Sequence, residues 1–288
     1  MSGISNNQII SILLYLVLAP FAGGLLTGLD RKISARLQGR IGPPLLQPFY
    51  DVLKLLGKEN PIVNVSQKYY VFCFLIFAIL TGVIFFAGQD ILLVIFALTL
   101  ANVFLVMAAY STYSPYSYFG AERELIQMMA YEPMVIIMAV GMYMVTGSFQ
   151  IRDIVAHQEL LIWELPGIFL GFLFILTIKF RKSPFDLSMS HHAHQEIVRG
   201  LLTEFTGVEL AMIEVAHWYE NIFLLGLVYL FFGANPVLAV VVTLFVYFLE
   251  LVIDNSAARL NWKLTLKSSW WAAAVLGATN ITVLYFLN

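Results

Sequence analysis

This chain has little of what a soluble protein carries. Only 12% of its 288 residues are charged and 60% are hydrophobic, whereas soluble domains carry about 25% charged residues. That scarcity excludes a soluble fold and implies an integral membrane protein. Cysteine is nearly absent as well, Cys73 being the one in the chain. A disulfide framework is therefore excluded, and so is an iron–sulfur cluster, which needs several thiolates. The opening MSGISNNQII holds no Lys or Arg, so the first apolar run is expected to be a retained span and not a cleaved leader. No strand-like alternation competes with helix, and no internal repeat stands out. The net charge of −2 excludes no class of partner, and none of the motifs points to nucleic acid.

What is present is a series of long apolar runs. A membrane helix takes about 20 residues, and eight segments reach that length, at roughly 9–29, 69–87, 91–110, 125–146, 163–180, 214–232, 236–253 and 269–287. The expected fold is all-α: a bundle of about eight transmembrane helices forming a single membrane domain over residues 1–288. Its charged connections lie at about 30–68, 111–124, 181–213 and 254–268. Of the 16 Lys and Arg, all but Arg152 fall in or beside these four connections. Positive charge collects on the cytoplasmic side, so these connections are expected inside the cell, both termini outside, and the protein in the plasma membrane.

The first connection reads DRKISARLQGRIGPPLLQPFYDVLKLLGKEN. Pro43 and Pro44 forbid a continuous helix through it. Beyond them Gln47, Asp51, Lys54 and Lys58 recur at helical spacing, with Leu46, Phe49, Leu53 and Leu56 on other faces. That pattern predicts a cytoplasmic amphipathic helix lying along the membrane surface.

Between Lys179 and Asn221 lies a polar island with four of the five histidines and Glu196, Glu204, Glu209, Glu214 and Glu220. Carboxylates that enter lipid are costly and are retained for use. At 100° per residue, Glu209, Glu214, His217 and Glu220 share one arc of about 140°. Clustered acids in low dielectric have coupled pKa values and can pass protons near neutral pH. Glu250 and Asp254, one turn apart, form a second such pair. Glu132 precedes Pro133, which cannot donate to the Met129 carbonyl, so a free carbonyl and a local kink are expected beside that acid. The plain alternative is simple ion pairing, Asp186 with Arg181 or Lys182 and Asp254 with Arg259. His191, His192 and His194 stand too close together to converge on a metal from a regular helix. A partner-facing loop or a proton buffer suits them better, and no metal site is expected in this chain.

Three of these connections carry a resemblance. Asp30-Arg31-Lys32, Ala35-Arg36, Gln38, Arg40, Gly42-Pro43, then Leu45 to Pro48, Asp51, Lys54-Leu55 and Lys58-Glu59 are similar to subunit 1 of respiratory complex I and its hydrogenase relatives. Pro184-Phe185-Asp186-Leu187 matches that family's signature, and Glu196 to Phe205 resembles its E-L-V-x-G-x-x-x-E-Y. Gly120 to Pro133 looks like its GA-x-R…Q…SYE segment, which puts Glu132 on the family's buried acid. Departures point to a branch. Only Pro44 separates Pro43 from Leu45, where quinone-reducing members have a longer loop. The run after the signature is rich in histidine instead of acids. Asp254 to Leu260 resembles the ENS-x-ARLR motif of membrane-bound hydrogenases and formate hydrogenlyases.

The resemblance implies the membrane subunit of an energy-converting nickel–iron hydrogenase of the Ech type, without a redox centre or cofactor of its own. The nickel–iron centre and the iron–sulfur clusters are then expected in partners: a hydrogenase small subunit, a large subunit and, through the complex, ferredoxin. An antiporter-like membrane subunit is a further expected partner. Glu132, Glu196, Glu204, Glu209, Glu214, His217, Glu220, Glu250 and Asp254 are the candidates for an ion path. Arg36, Arg40, Asp51, Lys54, Asp186 and Arg199 are the candidates for a docking surface. A quinone-reducing subunit and a passive anchor are the alternatives.

Overall fold

The computed structural model describes residues 6–59, 64–182, 184–186, 188 and 199–287. Their order is α1 Asn6–Leu37, α2 Gln47–Leu56, α3 Val65–Phe86, α4 Ile91–Tyr110, α5 Pro115–Thr146, α6 Ile151–Val155, α7 Pro166–Lys179, α8 Gly207–Leu230, α9 Pro236–Ser256, α10 Trp262–Ala272 and α11 Thr279–Leu287, with a π-helical turn at Ala273–Ala278 joining the last two. Among the described residues the only β pairing is two isolated bridges. All eight expected spans fall on helix, and the amphipathic segment is α2. The chain is an all-α, multi-pass membrane protein.

Among the described residues, α1, α3, α4, α5 and α9 are long and apolar enough to cross a membrane. The other three spans fall short for local reasons. Helix α7 is apolar but has 14 residues. Helix α8 is diluted by Glu209, Glu214, His217, Glu220 and Asn221. The last span is divided by the π-helical turn, which its sequence does not announce.

Two compact units can be distinguished. One comprises Met1–Ala87, Phe96–Glu124 and Ser188–Phe223. Its helices meet where α1 is thinnest. A Cβ at Gly23 would lie 2.5 Å from the backbone oxygen of Trp218, and one at Gly28 would overlap that of Leu45. Small residues of this kind are how membrane helices approach closely. Tyr15, Ala19 and Tyr219 are buried together, flanked by Ile79, Val83 and Phe86, and the Tyr219 hydroxyl donates to the Leu16 carbonyl at 2.8 Å. Phe49 brings α2 onto Trp218, with ring centroids 5.1 Å apart. On the other face of α2, Tyr50, Leu53 and Leu56 are exposed, as suits a helix whose apolar face meets lipid. Leu13, Leu14, Val17, Leu18 and Phe21 of α1 are exposed in the same way.

The second unit comprises Gly88–Ile95, Leu125–Leu187 and Leu224–Asn288. Its core takes Met134, Met138 and Met142 from α5 and Ile168, Phe172 and Ile175 from α7, all under 2% exposed. A Cβ at Gly171 would meet the Met134 side chain at 2.6 Å. The start of α7 is capped from afar: Asn280 Oδ1 accepts from the amides of Gly167 at 2.8 Å and Ile168 at 3.1 Å, and its Nδ2 donates to the Glu164 carbonyl at 2.9 Å. The Met129 carbonyl freed by Pro133 is indeed available, and the Trp270 indole N–H donates to it at 3.1 Å.

Candidate functional site

Among the described residues, each unit holds a cluster of buried titratable groups. In the first unit the acidic face of α8 is graded. Glu209 and Glu214 are half-buried, while His217 and Glu220 are 9% and 4% exposed. His217 Nδ1 lies 3.3 Å from Glu220 Oε2, and Phe74 from α3 closes over the imidazole edge with centroids 5.5 Å apart. The i,i+3 relationship read from the sequence is therefore a contact. Glu204, before α8, is exposed. Glu196, His191, His192 and His194 lie outside the described residues.

This unit also holds an acid that sequence reasoning passed over. Glu124 is 4% exposed, and the Ser188 hydroxyl donates to its carboxylate. The Ser188 carbonyl in turn accepts from the Leu201 amide at 3.1 Å. The approach depends on Gly120, where a Cβ would overlap the Leu201 nitrogen. A signal was available: Gly120, Ala121, Glu124, Gln127, Met128 and Tyr131 are all buried at helical spacing, whereas Glu122 is exposed and Glu132 half-buried. An acid within an apolar stripe marks the packed face.

The second unit's cluster surrounds the end of α7 and the end of α9. Lys179 is 6% exposed, with its ammonium 3.8 Å from the centroid of the Tyr131 ring, a cation–π contact. Lys182, 7% exposed, lies 3.6 Å from Asp254 Oδ2. This corrects the expected pairing, because Lys182 takes Asp254 where Arg259 was expected. Arg259 instead feels both Asp254 and Asp186; burial pulls its pKa below the ordinary arginine value and the two acids oppose that shift. It remains a cation. Asp186 is 6% exposed, which removes it from any exposed docking surface. The Asp186 amide donates to the Leu260 carbonyl at 3.2 Å and the Leu260 amide to the Pro184 carbonyl at 2.6 Å, tying the signature segment to the chain beyond α9. Glu250, one turn before Asp254, is 0% exposed, and neither carboxylate oxygen has a hydrogen-bond partner among the described residues. The charges that act on it are those of Lys182 and Asp254.

Of the expected docking residues, Arg36, Arg40, Lys54 and Arg199 are exposed, and Arg40 donates to the Gln38 side chain. Asp51 is committed within the fold, accepting from Arg31 Nη1 at 2.6 Å and Gln47 Nε2 at 2.9 Å. Burial opposes its ionisation, but those hydrogen bonds and the charges of Arg31 and Lys54 outweigh it and hold its pKa below the usual aspartate value. Among the described residues no group of three His, Cys, Asp or Glu side chains is placed to hold a metal.

The chain has relatives among known proteins. It is 31% identical over 254 residues to a subunit of the NADH-quinone oxidoreductase of Bacillus cytotoxicus, covering 79% of this chain and 74% of that protein. It is 32% identical over 251 residues to the corresponding NADH-quinone oxidoreductase subunit of Geobacillus kaustophilus, with the same coverage. Its fold matches a chain in the structure of the membrane-bound sulfane sulfur reductase, an archaeal respiratory membrane complex, with a TM-score of 0.86 at 24% identity, over 96% of this chain and 99% of the other. The family model described as NADH dehydrogenase matches residues 9–285. A match of that extent, with relatives of that similarity, places the chain in the NADH dehydrogenase family, the complex I subunit 1 family that its charged connections resemble.

Proposed function

We propose that this chain is the membrane subunit of an energy-converting oxidoreductase complex, and that it couples electron transfer in peripheral subunits to ion movement through its own buried acids. The observation that carries this reading is Glu250. A carboxylate with no exposure and no hydrogen-bond partner among the described residues costs free energy in a low dielectric. An apolar side chain would pack there without that cost. Next to Lys182 and Asp254, such a group can exchange a proton when the local charge changes. Glu132, Glu196, Glu204, Glu209, Glu214, His217 and Glu220 are further candidates for ion movement, and the exposed Arg40, Lys54 and Arg199 are assigned to the contact with the peripheral module.

Within that reading the peripheral module is a nickel–iron hydrogenase served by ferredoxin. The hydrogenase small and large subunits carry the clusters and the nickel–iron centre, and an antiporter-like membrane subunit lies alongside. The direct junction of Pro43, Pro44 and Leu45 and the hydrogenase-like run from Asp254 to Leu260 support that choice. A second reading, with a quinone as electron acceptor, is favoured by the names of the relatives, which are subunits of NADH-quinone oxidoreductases. Purification in a gentle detergent separates the two. The hydrogenase reading expects co-purifying nickel, iron–sulfur proteins and hydrogen evolution from reduced ferredoxin. Quinone reduction without nickel would replace it with the second.

A further inference from the structure

The cytoplasmic end of α1 carries an amphipathic stripe that neither the ion path nor the α1–α2 contact uses. Leu29, Lys32, Ile33, Arg36 and Leu37 follow one another at helical i, i+3, i+4, i+7 and i+8 spacing, so they share a face. With Leu45 they line a groove of about 470 Å³. Its walls are fixed by backbone packing: Gly28 lies directly against the Leu45 carbonyl, and a Cβ at Gly42 would be 2.9 Å from Lys32 Cα. Leu29, Leu37 and Leu45 are exposed along it.

The two cations of the stripe differ from their neighbour. Arg31 is neutralised by Asp51 at 2.6 Å. Lys32 and Arg36 are exposed and make no ion pair with any described acid. They stand one turn apart on the same face, close enough for both to reach one anion. The positive charges of this connection put it on the cytoplasmic side by the charge rule, and the exposed apolar length of α1 runs from Leu29 back toward Ile9. A ligand complementary to all of this has an anionic head and a hydrocarbon tail.

We propose that this groove is a binding site for an anionic phospholipid of the cytoplasmic leaflet. Lys32 and Arg36 hold its phosphate, and Leu29, Ile33, Leu37 and Leu45 receive the first part of an acyl chain. Cytoplasmic leaflets are rich in anionic lipid and attract basic residues just beyond a membrane span, while long cationic side chains reach the headgroup level from an apolar stem. A zwitterionic lipid leaves a net positive charge in the groove, and a neutral quinone head leaves both cations unanswered.

The test is native mass spectrometry of the chain purified with its partner subunits, stripped of lipid and offered phosphatidylglycerol or phosphatidylcholine at equal concentration. The wild type is expected to retain phosphatidylglycerol with a preference of roughly 30-fold, consistent with two headgroup contacts. The double variant Lys32→Gln/Arg36→Gln should lose that preference, and Lys58→Gln, a cation outside the groove, should keep it. Should the double variant fail to assemble, salt titration of the wild type keeps the test decisive, because screening should erase the preference. Equal uptake of both lipids, an unchanged preference in the double variant or an indifference to salt would each overturn the assignment.

Discussion

The Lys182 ammonium lies 3.6 Å from Asp254 Oδ2, with the two side chains 9% and 18% exposed. The pair joins the segment after α7 to the last turn of α9, and both of its charges act on Glu250. Removing one partner of a buried pair leaves the other charge uncompensated, which typically costs 3–5 kcal/mol, whereas replacing both with neutral groups is often close to neutral. Lys182→Met should therefore lower the thermal stability of the detergent-purified protein by about 1–2 kcal/mol, less than for an isolated buried pair because Asp254 is partly exposed and Arg259 still acts on it. Lys182→Met/Asp254→Asn should recover most of the loss. Thermal unfolding of the wild type, both single variants and the double variant gives the coupling directly. Equal, additive losses would show that the pair is incidental.

Glu250→Gln makes the complementary prediction. Glutamine has the same shape and removes the proton exchange, so assembly should be intact and stability within about 1 kcal/mol of wild type, because no hydrogen bond among the described residues is broken. Redox turnover by the assembled complex should continue while the ion gradient formed in inverted vesicles collapses. A full gradient at wild-type turnover would remove Glu250 from the path.

What could be read from the sequence depended on whether a relationship was local. The shared face of Glu209, Glu214, His217 and Glu220, and the one-turn spacing of Glu250 and Asp254, follow from helical geometry alone. The free Met129 carbonyl beside Pro133 was legible for the same reason, but its partner Trp270 was not, because it arrives from α10. The Lys182–Asp254 pair joins charges separated by the whole of α8, and nearer candidates in sequence, Arg259 above all, compete for the same acid. Glu124 was legible from its helical register with Gly120, Ala121, Gln127, Met128 and Tyr131, but its partner Ser188 was not, because it comes from beyond α7. The interruption of the last span is tertiary as well: the π-helical turn carries Gly277 past the Ile137 side chain, where a Cβ would come within 2.8 Å.

Asn280 is the third place where a single side chain is expected to matter. It satisfies the amides of Gly167 and Ile168 and the carbonyl of Glu164, so it caps a helix start to which it does not belong. An unpaired backbone group at a part-buried helix start is costly. Asn280→Ala removes three hydrogen bonds at about 1 kcal/mol each, and should lower the melting temperature by roughly 5–10 °C. Asn280→Asp keeps the acceptor but loses the donor, and should fall between the two. A melting curve of Asn280→Ala that superimposes on wild type would show that the cap is dispensable.

The contact between α1 and α2 supplies a pH dependence whose sign follows from Asp51. Its pKa is held below the ordinary value because hydrogen bonds from Arg31 and Gln47, with the charges of Arg31 and Lys54, outweigh the effect of burial. A group whose folded pKa is depressed stabilises the folded form above its unfolded pKa, about 3.9 for aspartate. That contribution is lost as pH falls through the lower, folded value. The carboxylate and guanidinium are each 40% exposed, so the effect on global stability is small and screened by salt. The local effect is the one to measure. As the pH is lowered below about 4, Asp51 should protonate, Arg31 should release it, and α2 should loosen from α1. Pepsin, active in that range, should then cut within residues 38–56. In Arg31→Gln the strongest hydrogen bond and a nearby charge are gone, so cutting should begin at higher pH than in wild type. Identical cleavage profiles for the two proteins would mean that Phe49 and the Gly28–Leu45 contact hold α2 in place without the ion pair.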